Sequence, residues 1–244
     1  MPSFYAPNLK ENSKQIELIG NEKHHICNVF RKDVNDDILL TNGNGILATA
    51  IIKSTDSKKV ILKIESTTKI SQSQPIVTAA FSLLKNKHDQ LIVEKLTELG
   101  VKEFFPITTE RTIRKISKNT IPKFKKVAVS AIKQCDNAYL PKIYEVQTLE
   151  NLISRLQKRG LIPLTALETD ESTKLYDITK DRYSSYCFII GPEGGFTSEE
   201  IRFLKKQKVQ TFTLGNHILR AETAAIATAS QLLSFHLQKN SKYY

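Results

Sequence analysis

The chain has 244 residues and a hydrophobic content of 40%, which is enough for one large domain or two ordinary domains with real cores. Its formal net charge of +11 favours a polyanionic partner such as nucleic acid, because basic surfaces bind phosphate backbones by releasing counterions. Since lysines far outnumber arginines, genome composition is the competing explanation of that charge. No apolar run approaches the ~20 residues of a membrane span, and the N-terminus lacks a signal-peptide pattern. We therefore expect a cytoplasmic protein that does not enter a membrane.

The first 72 residues are predicted to form a small β-rich domain. Two apolar runs within 38–52 flank the turn-like sequence Asn42-Gly43-Asn44-Gly45, which is typical of a hairpin. The segment 59–64 adds another alternating strand, so we expect a barrel or half-barrel. The polar stretch between Thr67 and Pro75 has the composition of a linker, which places the domain boundary between residues 72 and 73.

Residues 73–244 are predicted to form an α/β domain around an open parallel sheet, because strands and helices alternate along them. The expected elements are a strand over 76–81, a helix over 88–100, a strand over 104–107, a helix around 127–134 and a strand over 161–167. Gly100 is the expected C-cap of the first helix. One side of that helix is predicted to carry Leu91, Ile92, Lys95, Leu96 and Leu99.

The cysteines and histidines do not suggest a metal site. Cys27, Cys135 and Cys187 are odd in number, widely spaced and without a C-x-x-C pattern, which predicts reduced thiols rather than a disulfide framework or a zinc site. His24 and His25 are adjacent, and adjacent residues of a strand point to opposite faces of a sheet. We therefore predict no metal.

The most basic window of the chain is 111–126, which contains seven Lys or Arg residues and no acidic residue. Such a window is either a solvated face or a patch that contacts a nucleic-acid backbone, which would raise affinity without specifying sequence. The overall positive charge favours the second interpretation.

Two apolar runs, 187–190 and 212–214, each end in a polar loop. The first run suits a strand buried on both faces of a sheet. In the loop after it, Gly194 and Gly195 allow a ligand to approach the backbone closely. Neither G-x-G-x-x-G nor the phosphate-loop pattern is present, and Glu193 would place a negative charge where a phosphate should lie. A neutral or cationic ligand therefore fits this loop better than a phosphate.

Each of these loops is expected to lead into a helix. Thr197, with Glu200 three residues later, fits a capping box, which predicts a helix from about Ser198. After the second loop a helix is expected over 222–235. Its first half is almost all small residues, which allow a helix to pack tightly against a neighbour or a ligand.

These loops carry a resemblance to a known family. The chain contains Gly191-Pro192-Glu193-Gly194-Gly195-Phe196, followed by Leu214-Gly215 and Ile218-Leu219-Arg220-Ala221-Glu222-Thr223-Ala224. In this order and spacing they resemble the paired signature of the RsmE family, the 16S ribosomal RNA (uracil-N3)-methyltransferases of the SPOUT superfamily. The segment 83–111 also resembles that family, and His24-His25 with Arg31-Lys32 match its N-terminal domain.

The resemblance implies a fold, a cofactor and partners. The fold is α/β, with a C-terminal SPOUT domain (73–244) that has a parallel sheet and a deep trefoil knot, and an N-terminal PUA-like RNA-binding β-barrel domain (1–72). It further implies S-adenosylmethionine bound among the knot loops, a homodimer, and 16S ribosomal RNA of the 30S subunit as substrate. The knot does not follow from periodicity or composition, since chains almost never thread through themselves.

The family's pattern also implies site residues. The cofactor would be held by Leu167, Gly191, Glu193, Gly194, Gly195, Leu214, Gly215, Ile218, Leu219 and Ala221, with Glu168 beside Leu167 at the border of the pocket. The candidates for RNA binding are His25, Arg31, Lys32, Arg111, Arg114 and Lys115.

Methyl transfer from a sulfonium is an in-line displacement, for which a protein mostly supplies positioning and electrostatics. Attack by uracil N3 requires loss of its proton and stabilisation of charge on the ring oxygens. Arg220 is the candidate for that stabilisation, in its own protomer or across the dimer. Glu193 and Glu222 are the candidate general bases. Alternatively, Glu193 holds its loop and Glu222 interacts with the dipole of its helix.

The chain departs from the family's pattern at four positions. Asn35 stands where the family usually has glycine, and Asn137 where it commonly has arginine. Asn216-His217 replaces Pro-Arg, which puts an arginine role at that position in doubt.

Three functions of different classes remain open. The first is S-adenosylmethionine-dependent methylation of N3 of a uridine in 16S ribosomal RNA. The second is a SPOUT-type methyltransferase with a different RNA target, because the loops bind cofactor and do not name the base. The third is a non-catalytic RNA-binding protein, against which the intact 191–195 loop and Arg220 argue.

Overall fold

A computed structural model describes residues 3–72, 76–167, 173–179 and 185–237, with residues 235–237 described through their backbone alone. The chain divides into two compact units, Met1–Gln72 with Ala128–Leu140, and Ser73–Val127 with Pro141–Tyr244. The first unit therefore includes a segment, 128–140, that lies far from it in sequence. The domain division at residues 72 and 73 stays a prediction.

The first unit is built on a curled sheet with the strand order β1-β3-β4-β5-β2. Its strands are β1 (Phe4–Tyr5), β2 (Gln15–Ile19), β3 (Asp37–Thr41), β4 (Ile46–Thr55) and β5 (Lys59–Lys69). The predicted hairpin is confirmed, since β3 and β4 are antiparallel and the Asn42 side-chain oxygen accepts hydrogen bonds from the backbone N–H groups of Asn44 and Ile46. β5 extends into the segment predicted as a linker, of which 73–75 lie outside the described residues.

The two adjacent histidines lie in helical turns, so the prediction that they belong to a strand was wrong. His24 ends helix α1 (Gly20–His24), and His25 begins a π-helical turn, His25–Val29. Lys133 Nζ lies 3.2 Å from His25 Nδ1. Because an ammonium group can only donate, Nδ1 accepts, which leaves any neutral-ring proton on Nε2. Within the described ranges, no group of three or more His, Cys, Asp or Glu side chains could hold a metal ion.

The second unit is built on a parallel sheet, as predicted, with the strand order β12-β10-β11-β6-β7-β8 and β9 beside β7. The strands are β6 (Val77–Ser82), β7 (Glu103–Thr108), β8 (Lys142–Ile143), β9 (Gln147–Thr148), β10 (Ile162–Ala166), β11 (Tyr186–Ile190) and β12 (Gln210–Phe212). All five residues of β11 are buried, which confirms a strand covered on both faces. Burial raises the pKa of the Cys187 thiol on this strand to about 12. The trefoil knot stays a prediction.

The helices that come after β6 in the chain alternate with strands, as predicted. They are α2 (His88–Leu99), α3 (Thr120–Gln134), α4 (Leu149–Arg159), α5 (Leu175–Ile178), α6 (Ser198–Lys206) and α7 (Ala221–Leu237). In the part of the chain that the structure describes, no helix is both long enough and apolar enough to cross a membrane.

Helix α2 ends as predicted, but its buried face is rotated from the predicted one. Gly100 caps it in the left-handed conformation, with φ of 92°. Leu91 and Leu99 are 37% and 38% exposed. The helix instead buries the i, i+4 pairs Ile92/Leu96 and Val93/Thr97.

Candidate active site

A cavity of about 630 Å³ lies at the carboxyl ends of three neighbouring strands, β10, β11 and β12. Ala166 and Ile190, the last residues of β10 and β11, line it together with Thr213, which follows β12. Loops that leave the same edge of a parallel sheet converge, and this edge is where open α/β sheets bind ligands. The order of the strands thus brings together loops that are far apart in sequence.

The first wall of the cavity is the glycine loop that follows β11. Gly195 N–H donates to Pro192 O at 2.9 Å, which closes a tight turn, and Gly195 has φ of +66°. A side chain at Gly195 would be strained in that conformation although the space around it is open. At Gly191 the requirement is different, because an added Cβ would lie 3.0 Å from the Phe196 ring. One glycine therefore serves backbone geometry and the other serves packing.

Two side-chain hydrogen bonds tie this loop to residues outside it. Glu193 Oε1 accepts a hydrogen bond from Lys85 N at 2.9 Å. Arg111 Nη1 donates to Gly194 O at 2.7 Å, and Arg111 also lines the cavity. The Glu193 carboxylate is thus engaged with backbone, which favours its role in holding the loop over a role as a base.

Helix α6 begins with the predicted capping box. Thr197 Oγ1 accepts from Glu200 N at 3.3 Å, and Glu200 Oε2 accepts from Thr197 N at 2.8 Å. Glu200 Oε1 also accepts from Glu110 N at 2.8 Å. The cap therefore anchors the glycine loop to the loop that follows β7.

The second wall runs from Thr213 into helix α7. Thr213 Oγ1 accepts from Gly215 N at 3.2 Å and is 3.1 Å from Gly215 O, to which it donates, so its side chain folds the loop back on itself. Ile218 is 78% exposed although it lines the cavity, and Arg220, two residues later, is also exposed. This wall presents a cation and an aliphatic side chain to solvent at the mouth of the cavity.

Glu222, in the first turn of α7, is the more enclosed of the two described carboxylates in the cavity wall, with 8% of its surface exposed. Its Oε1 lies 3.1 Å from His88 Nδ1. Its Oε2 is buried and has no hydrogen-bond partner among the described residues. A buried carboxylate oxygen without a partner costs free energy, so this oxygen is suited to accept a hydrogen bond from a ligand.

The structure brings the sequence-predicted cofactor and catalytic residues to one cavity. Its lining contains Leu167, Gly191, Glu193, Gly194, Gly195, Leu214, Gly215, Ile218, Leu219, Arg220, Ala221 and Glu222. Glu168 lies outside the described residues. Sequence reasoning missed Lys85, Asn86, His88 and Ile113, which also line the cavity. The first three belong to the segment 83–111, whose resemblance to the family was the available signal.

The proposed RNA-binding residues of the first unit have different surroundings. Arg31 is exposed and Lys32 is half-buried. His25 contacts Lys133, whose ammonium also donates to Glu22 Oε1 at 2.7 Å. In this group only Arg31 is fully open to a partner.

The proposed RNA-binding residues of the second unit also differ from one another. Lys115 is exposed, whereas Arg111 is bonded to the glycine loop. Arg114 forms an ion pair with Asp89, which is completely buried. Arg114 also lies over the Phe124 ring, 5.7 Å from its centroid. Its guanidinium is therefore committed to the interior of this unit.

Two departures from the family's pattern have local explanations. Asn35 has φ of 73°, a conformation that asparagine tolerates better than most residues other than glycine. Asn137 Oδ1 accepts from Tyr139 N at 2.9 Å, so its amide closes a turn. Asn216 and His217 are both exposed.

The chain is similar to known proteins over most of its length. The family model described as RNA methyltransferase domain matches residues 71–233, and the model described as RNA methyltransferase PUA domain matches residues 18–65. The small-subunit ribosomal RNA methyltransferase E of Bacillus subtilis strain 168 is 29% identical to this chain over 91% of each protein. The protein named small-subunit ribosomal RNA methyltransferase E 2 of Borreliella burgdorferi is 30% identical, covering 83% of this chain and 84% of its own.

A solved structure is similar over nearly the whole chain. It is the crystal structure of a small-subunit ribosomal RNA methyltransferase E from Neisseria gonorrhoeae bound to S-adenosylmethionine, with a TM-score of 0.87, 25% identity and coverage of 96% of this chain and 98% of that one. The α/β fold with a PUA-like first unit is thus shared with that enzyme. Because both family models and these relatives match it, the chain belongs to the RsmE family of small-subunit ribosomal RNA methyltransferases.

Proposed function

We propose that this protein transfers a methyl group from S-adenosylmethionine to N3 of a uridine in 16S ribosomal RNA of the small ribosomal subunit. The observation that carries the proposal is the cavity at the ends of β10, β11 and β12, where the glycine loop meets the loop that leads into α7. Family membership supports the reaction class, since relatives over most of the chain are named small-subunit ribosomal RNA methyltransferases.

The cavity fits S-adenosylmethionine in its chemistry. Its walls are mainly backbone and apolar side chains such as Leu167 and Phe196. Among the described residues, its charged side chains are the carboxylates of Glu193 and Glu222 and the cations of Lys85, Arg111 and Arg220. The two carboxylates can attract the positively charged sulfonium of the cofactor. When bound, the cofactor supplies an electrophilic methyl group on a sulfonium. The backbone of the glycine loop would hold and orient it.

Glu222 is the better candidate for the base that removes the N3 proton. Glu193 already accepts a backbone hydrogen bond, whereas Glu222 keeps one oxygen without a described partner. In the proton-transfer step, the N3–H bond breaks as the proton passes to the Glu222 carboxylate. The N3–C bond then forms as the sulfonium S–C bond breaks. His88 fixes the carboxylate through Oε1.

Arg220 is the candidate that stabilises the charge that develops on the uracil oxygens. It lines the cavity, is exposed, and directly precedes α7. A guanidinium placed where negative charge develops lowers the barrier most when it is already in position. Its exposure lets it reach a base that enters from solvent.

We further propose that the protein works as a homodimer in the cytoplasm, where ribosomal subunits are found. Ile218 and Ile113 both line the cavity and are 78% and 64% exposed. Large aliphatic side chains at a cavity mouth are expected to be covered by substrate or by a second copy of the chain.

The test is mass spectrometry of nucleosides after incubation of unmodified small subunits with the protein and isotope-labelled S-adenosylmethionine. Labelled 3-methyluridine is the expected product. A different labelled nucleoside would show that the protein is an RNA methyltransferase that acts on another position. Absence of label, with measurable S-adenosylmethionine binding by a folded protein, would contradict the assignment of small-subunit RNA as substrate.

A further inference from the structure

Two cations lie close to one tyrosine, Tyr144, near the amino ends of the strands of the parallel sheet and away from the cavity. The Tyr144 ring stacks on the buried Phe105 ring, with centroids 4.5 Å apart and planes 7° apart. Lys142 Nζ lies 4.7 Å from the Tyr144 ring centroid, and Arg155 Cζ lies 5.0 Å from it. Both cationic residues are exposed. Phe105 thus stacks on the Tyr144 ring, and both cations lie within 5.0 Å of the centroid of that ring.

The carboxylate that is bonded to Tyr144, that of Glu103, has a second partner. Glu103 Oε2 accepts from Arg159 Nη1 at 2.6 Å, and Glu103 Oε1 accepts from the Tyr144 hydroxyl at 3.3 Å. Within the ranges that the structure describes, neither Lys142 nor Arg155 forms an ion pair, and neither does the exposed Glu145. The cluster therefore keeps two positive charges that no carboxylate neutralises.

The arrangement brings like charges together and orders them. Two cations that each lie within 5.0 Å of one ring centroid are separated by no more than about one Debye length (~10 Å), so they repel each other. Contact with the ring fixes both long side chains, which lowers the entropy that binding would otherwise cost. An anion between them would remove the repulsion and gain two charge-assisted hydrogen bonds.

This surface is separate from the candidate active site. Lys142 pairs with Glu103 at the first residue of β7, and Arg155 lies in the second half of α4. The cavity lies at the carboxyl ends of the parallel strands, whereas this surface lies near their amino ends. Since β7 has six residues, the two ends of the strands are roughly 20 Å apart.

We infer that Lys142 and Arg155, held over Tyr144, bind a phosphate group of the RNA backbone at a point remote from the target uridine. This inference rests on the proposed function in that the RNA is the substrate. Arginine offers a planar fork and lysine a point charge, both of which suit phosphate oxygens. RNA is favoured over an acidic protein because the whole chain carries a net charge of +11. A ribosomal substrate is also large enough to reach both the cavity and the surface formed by Lys142 and Arg155.

The test compares RNA binding by the full-length protein and by the double variant Lys142→Gln/Arg155→Gln. A transcript of small-subunit ribosomal RNA is titrated at several salt concentrations. The slope of log K against log salt is expected to become shallower by about 1 for each cation removed. The KM for RNA should rise several-fold, while kcat at saturating RNA and the affinity for S-adenosylmethionine stay unchanged. Binding is read without turnover, so this result is independent of which base is methylated.

A matched control removes two exposed charges elsewhere, in Lys205→Gln/Lys206→Gln on α6. The control is expected to keep the wild-type slope to within experimental error. An equal change in both variants would show that only total charge matters and would overturn the local site. An unchanged salt dependence of RNA binding in Lys142→Gln/Arg155→Gln would also overturn the phosphate site. That result is expected if the two cations bind an acidic protein and not RNA.

Discussion

His88 Nδ1 lies 3.1 Å from Glu222 Oε1, and this contact joins the first residue of α2 to the first turn of α7. The two residues are 134 positions apart, so only the packing of α7 against α2 brings them together. The contact holds one oxygen of the carboxylate and leaves the other, Oε2, buried without a described partner. Glu222 is thereby oriented in the wall of the cavity.

Replacement of Glu222 by glutamine should abolish the proton acceptor while keeping the shape of the wall. We expect a loss of turnover of about 10²-fold or more, because general-base catalysis typically contributes 10²–10⁴. Affinity for S-adenosylmethionine, measured by calorimetry, should change little. His88→Gln should lose less activity, since an amide can still donate to Oε1. Wild-type turnover in Glu222→Gln would remove Glu222 from the chemistry.

Replacement of Arg220 by alanine should separate binding from chemistry. Loss of one preorganised charge-stabilising donor typically costs about 10²–10³ in kcat. We therefore expect a large fall in single-turnover rate with retained cofactor affinity. Arg202→Ala, which removes an arginine that is paired with Glu199 on the surface of α6, is the control and should stay active. If Arg220→Ala were fully active, charge stabilisation would have to come from another group.

The features that the sequence predicted well are those that depend on neighbouring residues. The capping box of Thr197 and Glu200 and the Gly100 cap follow local rules, and both are present. The gathering of two loops into one cavity was predicted through family resemblance, because spacing alone does not say which strands are neighbours.

The features that the sequence missed depend on contacts between distant residues. Arg114 looked like part of a basic RNA-binding window, but its partner Asp89 lies 25 positions earlier and is buried in α2. Leu91 and Leu99 fitted a helical stripe, yet the choice between adjacent stripes is made by the elements packed against α2. No periodicity argument distinguishes these cases.

Substitutions in the glycine loop should separate backbone strain from contact. Gly195 has positive φ, so Gly195→Ala strains the turn by about 1–2 kcal/mol. Gly195→Trp adds bulk at the cavity and should weaken S-adenosylmethionine binding further. Gly194 lacks positive φ and an added Cβ there meets Arg111 Cδ at an ordinary 3.5 Å, which makes Gly194→Ala the mild control. Unchanged cofactor affinity in Gly195→Trp would exclude this loop from the cofactor site.

Arg111 should act on the cofactor through the loop that it holds. Its guanidinium donates to Gly194 O at 2.7 Å, so Arg111→Ala leaves that carbonyl without its partner and loosens the turn. We expect weaker cofactor binding by several-fold, together with a smaller effect on RNA affinity. Lys115→Ala, at an exposed position in the same basic window, should show the reverse pattern. A loss of RNA affinity alone in Arg111→Ala would assign this residue to the RNA-contacting surface.

The Asp89–Arg114 ion pair should show an asymmetric cost when it is broken. Asp89 is completely buried, whereas the Arg114 side chain is 20% exposed and lies over Phe124. Arg114→Met would leave a buried carboxylate unpaired and should lower the free energy of unfolding by about 3–5 kcal/mol. Asp89→Leu should cost less, because the guanidinium can turn towards water.

The double variant Asp89→Leu/Arg114→Met gives the deciding comparison. Replacing a buried ion pair by apolar residues of similar volume is often nearly neutral, so the double variant should be more stable than Arg114→Met alone. Urea unfolding of all three variants measures this, and RNA affinity of the double variant should match that of the wild type. Additive losses in the double variant would show that the two side chains stabilise the fold independently, while a specific loss of RNA affinity would return Arg114 to the RNA-binding surface.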